Sequence, residues 1–232
     1  MENIQAILFD LFGTLVEYTP QVKGKDFSKT YSLMNQIEAF DTQYELFLTD
    51  ISVIFAKLNK ETFRSETEFS MEDVFVELLG NYGIHGVDAN TLDQIVAEYC
   101  HEWRKYVSWD NRVQNLLSDL KKQYKIGVIT NTHNSKLVFG LLADMGILYL
   151  LDVVTTSIEY GKRKPNQNIF LDTCAKINVC PANCIFVGDS LEMDVEGSKS
   201  VGMLPIHISN ESNHPHKSIP NILELRSLGL IQ

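Results

Sequence analysis

Short unbroken apolar runs alternate along this chain with longer segments in which apolar residues recur every three or four positions. The runs are IQAILFD (4–10), KIGVITN (125–131), LDVVTTS (151–157), NCIFVGD (183–189) and MLPIHIS (203–209). Their β-branched residues fall on both alternations, as in strands covered on both faces. Between the later runs, Leu137, Leu141, Leu142 and Met145 make one helical stripe, and Ile169, Phe170, Thr173, Cys174 and Ile177 make another. Strands and helices alternating at this spacing predict right-handed crossovers and an open, doubly wound, Rossmann-like parallel sheet of the α/β class.

Residues 17–108 break that rhythm. Phe47, Ile51, Ile54, Phe55 and Leu58 recur at helical spacing, as do Val74, Phe75, Leu78 and Leu79, then Leu92, Val96, Tyr99 and Trp103. Ser70 with Asp73 three positions on has the form of a capping box and predicts a helix start. No strand-like run of comparable quality occurs there. The pattern predicts an all-helical insertion, 17–108, within a core made of 1–16 and 109–232. Phe63 and Phe69 are its candidate exposed apolar residues, too few to define a dimer face, so oligomeric state stays open. The polar stretch SNESNHPHKSIPN (209–221) reads as a surface loop before a short last helix.

Composition narrows the partners. A net charge of −10 over 232 residues disfavours nucleic acid and anionic membrane surfaces. GKRKP (161–165) is the only tight basic cluster. No apolar run approaches the ~20 residues of a membrane span, and residues 1–15 lack a charged-then-apolar leader, so a cytoplasmic location is expected. The cysteines, Cys100, Cys174, Cys180 and Cys184, lack zinc-finger spacing and are expected to be thiols.

Four residues of chemical interest stand at the C-terminal ends of proposed strands: Asp10, Thr130, Asn131 and Asp189. In parallel sheets ligands collect at that edge, where the strand order reverses. Asp10 there can be a nucleophile, a magnesium ligand or both, or a turn aspartate before Gly13. Thr130 and Asn131 can cradle an anion or cap a helix. Lys164, favoured over Lys162 and Arg163 because Pro165 follows it, can neutralise developing charge, or lie on the surface. Asp189 and Asp194, in VGDSLEMDVEGSKSVGM, repel one another unless a cation or a lysine compensates, and Mg²⁺ suits oxygen-only ligands. The alternative is a solvated acidic loop.

The ordered series D-x-φ-G-T-L, apolar-Thr-Asn, Lys-Pro and G-D-S-x-x-x-D-x-x-G resembles the haloacid dehalogenase (HAD) superfamily. The helical insertion resembles that of its C1-cap members. The resemblance implies a hydrolase with Asp10 as covalent nucleophile. Thr130, Asn131 and Lys164 would hold the transferring group, with Thr130 and Lys164 counted as catalytic. Asp10, the Phe12 carbonyl and Asp189 would bind Mg²⁺, with Asp194 supporting them from behind. A cap closing over the cleft would exclude water and select a small-molecule substrate.

Phe12 departs from that pattern. In the phosphatases of the superfamily its position carries an aspartate that protonates the leaving group, and losing such a group forfeits about 10²–10⁴ in rate. The dehalogenases lack it too, since halide needs no proton, but they work without metal and soften the fourth motif, which here stays acidic. No arginine follows the first motif to receive halide; Arg64 and Arg104 lie in the insertion. The expectation is therefore a Mg²⁺-dependent phosphohydrolase, with His133 or Glu17 as candidate replacement acids. A 2-haloacid dehalogenase-like enzyme and a catalytically impaired binding or regulatory protein are the alternatives.

Overall fold

The computed structural model describes residues 3–19, 22, 24–210 and 217–229. The five apolar runs form β1 (Ala6–Phe9), β2 (Lys125–Thr130), β3 (Val153–Thr156), β4 (Cys184–Gly188) and β5 (Leu204–Ile208). A two-residue strand, β6 (Ser218–Ile219), pairs with β5. All pairings are parallel, in the order β3-β2-β1-β4-β5-β6. The central strand has no exposed residue: Ala6, Ile7, Leu8 and Phe9 are each 0% accessible. Both sheet faces are therefore covered, which is why the strand sequences show no polar alternation. The doubly wound α/β reading holds. β6 went unpredicted because two residues carry no hydrophobic pattern; only its partner strand defines it.

The chain divides into two compact units, residues 1–18 with 108–232, and residues 19–107. The second is helical: α1 (Ser28–Met34), α2 (Tyr44–Phe63), α3 (Met71–Asn81) and α4 (Ala89–Arg104). Its core gathers Phe27, Phe47, Ile51, Phe75 and Leu78, all fully buried, and the Phe27 ring stacks on Tyr99 at 4.6 Å. Ser70 and Asp73 complete the reciprocal capping box that opens α3. Helix α1 is different, because its own N-cap residue, Phe27, offers no side-chain oxygen. Glu102 of α4 supplies one instead: its carboxylate accepts from Lys29 N at 3.1 Å, Thr30 N at 3.0 Å and Thr30 Oγ1 at 2.7 Å. The negative charge thus sits at the positive end of α1. Phe63 is 58% exposed as expected, but Phe69 is 4% exposed and packs on Phe55, so it is no surface residue.

Helices α5 (Arg112–Lys121), α6 (Ser135–Asp144), α7 (Ser157–Tyr160), α8 (Gln167–Lys176) and α9 (Gly197–Ser200) belong to the sheet unit. On one sheet face α8 places Ile169, Phe170 and Cys174 against Leu8, Ile129 and Phe186. Helix α6 buries Val138, Leu141 and Leu142, while Leu137 is half-buried. Glu17 and Ser108 exchange backbone bonds of 2.8 and 3.0 Å, so the chain leaves and re-enters this unit at one point. All four cysteines are free; Cys174 and Cys184 lie 3.5 Å apart, sulfur to sulfur. The last turns, Ile222–Leu228, are 3₁₀-helical. Of the polar loop expected over 209–221, residues 211–216 lie outside the described residues, and Ser218–Ile219 form β6 rather than loop because they pair with β5. No helix among the described residues is long and apolar enough to cross a membrane.

Candidate active site

Asp10 follows the last residue of β1 and Asp189 the last residue of β4, neighbouring strands on either side of the reversal in strand order. After Asp10 the chain folds into a tight turn. Leu11 O accepts from Leu15 N at 2.9 Å and Val16 N at 3.0 Å, and Gly13 N donates to Val16 O at 2.8 Å. Gly13 has φ +92°, and a Cβ there would stand 2.4–2.9 Å from the Asp189 carboxylate. Only glycine permits both that backbone and that approach. Gly188 allows a second close approach, because a Cβ there would lie 2.4 Å from the Asp194 side chain.

Lys164 is buried between two carboxylates. Its Nζ donates to Asp10 Oδ1 at 2.7 Å and Asp194 Oδ1 at 2.5 Å, and stands 5.2 Å above the centre of the Phe186 ring. Asn131, just past β2, fixes the lysine's main chain from both sides: Asn131 Oδ1 accepts from Lys164 N at 2.8 Å, and Asn131 Nδ2 donates to Lys164 O at 3.1 Å. Asp194 rides on a π-helical turn, Leu191–Glu196, in which Ser190 O accepts from Asp194 N at 3.0 Å and Val195 N at 3.2 Å. The wide turn lets Asp194 reach back, so that its Oδ2 accepts from Ser190 N at 2.9 Å. Both oxygens of Asp194 are thus engaged in holding the lysine and the loop. His207 on β5, buried, lies with its Nε2 2.9 Å from Asp189 O and supports that loop from below.

The charges are crowded. Asp10, Asp189 and Asp194 each offer an oxygen, and these atoms lie within 4.8 Å of one another. Burial pushes the Asp10 carboxyl up, Lys164 pulls it down, and repulsion from Asp194 and Asp189 adds to the rise, so that it titrates at about 7 rather than 3.8. Asp189 keeps one side open to solvent, yet packing on its other side and the Asp194 charge hold it above its ordinary value. Burial alone would lower the Lys164 ammonium; Asp10 and Asp194 more than offset this and hold it above its ordinary value. One lysine for three carboxylates leaves room for a cation. Hard oxygen donors around an electron-rich gap fit a metal ion of the Mg²⁺ type. At the rim, the Thr130 hydroxyl is fully buried without a hydrogen-bond partner. A buried hydroxyl left so is costly unless a ligand completes it.

A family model described as haloacid dehalogenase-like hydrolase matches residues 4–202. The chain belongs to the haloacid dehalogenase-like hydrolases. Over 98% of its length this hydrolase is 24% identical to rat (Rattus norvegicus) N-acylneuraminate-9-phosphatase, covering 94% of that protein. Its fold matches a 2-haloacid dehalogenase from Pseudomonas syringae pv. Tomato DC3000 with TM-score 0.73 at 20% identity, covering 97% of each chain. It also matches a HAD phosphatase from Thermococcus onnurineus with TM-score 0.68 at 23% identity, again over 97% of each.

In this hydrolase the sheet edge brings together Asp10, Lys164, Asp189 and Asp194, with Thr130 and Asn131 at the end of β2. Of the three neighbouring basic residues, only Lys164 has its cation between Asp10 and Asp194; Lys162 and Arg163 are half-buried alongside. Helix α6 starts at Ser135, capped by the Asn134 side chain, so Thr130 and Asn131 precede a short loop rather than the helix itself. His133 lies half-buried in that loop, and Glu17 is exposed. Phe12 occupies the Gly13 turn, and its ring packs against Tyr18, 5.3 Å between centres and tilted 60°. Sequence reasoning missed Tyr18 and His207. Both touch the site through contacts that follow no local spacing, and the one available signal was a histidine inside an apolar strand.

Proposed function

We propose that this HAD-like hydrolase is a Mg²⁺-dependent phosphohydrolase acting on a small phosphorylated metabolite in the cytoplasm. The observation that carries the reading is the Asp10–Lys164–Asp194 array beside Asp189, four charged side chains converging at the strand ends. The named activity of the rat relative supports it, as does the retention of acidic residues at 189 and 194. Residues 19–107 are, in this reading, the cap domain.

The Asp10 carboxylate attacks phosphorus, while Lys164 orients it and balances charge on the phosphoryl oxygens. The otherwise partnerless Thr130 hydroxyl donates to one of those oxygens. Asn131 acts mainly by holding the Lys164 main chain. Asp10, Asp189 and the Phe12 carbonyl would hold Mg²⁺, which when bound supplies charge neutralisation at the phosphoryl group. Asp194 anchors the lysine and the loop that carries Asp189. Phosphate release from a phosphomonoester panel, lost with EDTA and in Asp10→Asn, tests the proposal; EDTA-insensitive release would overturn it. Phe12 favours one second reading, C–halogen cleavage, whose mark is halide release from 2-haloacids that EDTA leaves untouched.

A further inference from the structure

We propose that Cys174 and Cys184 form a thiol–disulfide modification site, closed by small disulfides that enter through Cys180, and that the bond locks helix α8 onto strand β4. The site lies on the sheet unit, apart from the charged array at the strand ends. The inference does not depend on the reaction run there.

Cys174 lies in the last turn of α8, and Cys184 is the first residue of β4. Both are buried in one apolar cluster with Ala6, Ile177, Val179 and Phe186. Their sulfurs stand 3.5 Å apart. A disulfide needs about 2.0 Å between sulfurs, so closure asks for an approach of about 1.5 Å. The chain between them is short and anchored. Val179 N donates to Cys174 O at 3.1 Å, and Lys125 Nζ donates to Ile177 O at 2.6 Å. Cys180, by contrast, is exposed. It stands just before the single 3₁₀ turn Pro181–Asn183 that Cys184 follows, and its carbonyl oxygen lies 3.5 Å from the Cys184 sulfur. One turn therefore joins a surface thiol to a buried pair.

The contact also divides the protons. The hydrogen bond from Cys184 holds the Cys174 thiol below its ordinary value against the opposing effect of burial. The same bond, with burial, pushes the Cys184 thiol up. Cys174 is thus the natural thiolate of the pair, and Cys184 the proton donor.

Exchange then runs in three steps, each a thiolate displacing a thiolate from a disulfide sulfur. The Cys180 thiolate attacks a small disulfide, bonds to one of its sulfurs and releases the other as a thiolate. Cys184 gives its proton to Cys174, bonds to the Cys180 sulfur and expels the second small thiolate. Cys174 passes that proton to a released thiolate and bonds to the Cys184 sulfur, and Cys180 leaves as a thiolate again. Two protein thiols are oxidised, one small disulfide is reduced to two thiols, and Cys180 is regenerated. In a reducing compartment the pair rests as thiols. Once closed, the bond ties the helix that follows Lys164 to the strand that leads to Asp189. It sits at the end of β4 remote from Asp189, so it braces the charged array without blocking it.

The test is incubation of the full native chain with oxidised glutathione in the absence of denaturant, followed by intact mass, thiol titration and peptide mapping. Expected are the loss of two of the four thiols, a mass lower by two hydrogens with no glutathione retained, and a bridge mapped to Cys174 and Cys184. Tm should rise by roughly 5–10 °C, reversibly with dithiothreitol. Cys180→Ser should keep the pair but close it more slowly, and Cys184→Ala should trap glutathione on Cys180. A glutathione adduct that persists on Cys180 of the native protein, with Cys174 and Cys184 still thiols, would overturn the proposal. So would closure of Cys180→Ser at the native rate, or a bridge that leaves Tm unchanged or lower. If Cys184→Ala fails to fold, the mass and map of the native protein decide alone.

Discussion

Replacing Asp10 by asparagine removes a charge that the fold tolerates poorly. The folded carboxyl titrates at about 7 against 3.8 in the free side chain, with the attraction of Lys164 already included. The folded state therefore binds this proton more tightly than the unfolded state does. Its contribution to stability is complete below 3.8 and is lost as pH rises through about 7. At 1.36 kcal/mol per pH unit, the ionised carboxylate costs the metal-free protein about 4 kcal/mol at about pH 8. Asparagine is nearly the same size and neutral throughout. Asp10→Asn should thus be more stable than the native protein by about 4 kcal/mol at about pH 8, and by only about 1 kcal/mol at about pH 4.5, where the unfolded carboxyl has begun to ionise. For a chain of this length that is a rise of roughly 10 °C in Tm. The assay is urea unfolding of both proteins in EDTA at the two pH values, repeated with saturating Mg²⁺. A bound cation supports the native carboxylate alone, so the gap should shrink with the metal. A variant no more stable than the native protein at the higher pH would refute the argument that Asp10 is a strained charge.

Two further outcomes follow from the packing. Gly13→Ala forces a Cβ onto the Asp189 carboxylate at positive φ; strain of about 1–3 kcal/mol and a loss of Mg²⁺-dependent thermal stabilisation are expected, read by a melting series with and without the metal. Glu102→Leu strips α1 of three hydrogen bonds and should destabilise residues 19–107 by about 2–4 kcal/mol, seen as an earlier urea transition, with Glu102→Gln recovering part of the loss.

Some elements were legible because their cause is local. The strands at 6–9 and 184–188 announce themselves as apolar runs, since a strand buried on both faces has no polar position to spare. Helix α3 declares its own start, because Ser70 and Asp73 satisfy each other within one turn. Helix α1 was illegible for the opposite reason: the oxygen that completes its first turn belongs to Glu102, more than seventy residues away. Helix α5 escaped too, although Val113, Leu116, Leu117 and Leu120 form a buried stripe. Phe69 was misjudged because a ring next to charged residues looks exposed until Phe55 is seen packed on it.

The candidate site divides along the same line. By itself the sequence determined the α/β class, the family, and the placing of Asp10, Thr130 and Asp189 at strand ends, because each follows from apolar runs that stop at a polar residue. Only the tertiary structure decided that Lys164, rather than Lys162 or Arg163, bridges Asp10 and Asp194, that Asn131 clamps the lysine's main chain, and that Tyr18 fills the space beside Phe12. Those contacts join residues far apart in the chain or on one crowded turn, and their energies come from burial and from charges a few ångströms apart, distances that no spacing along the sequence encodes.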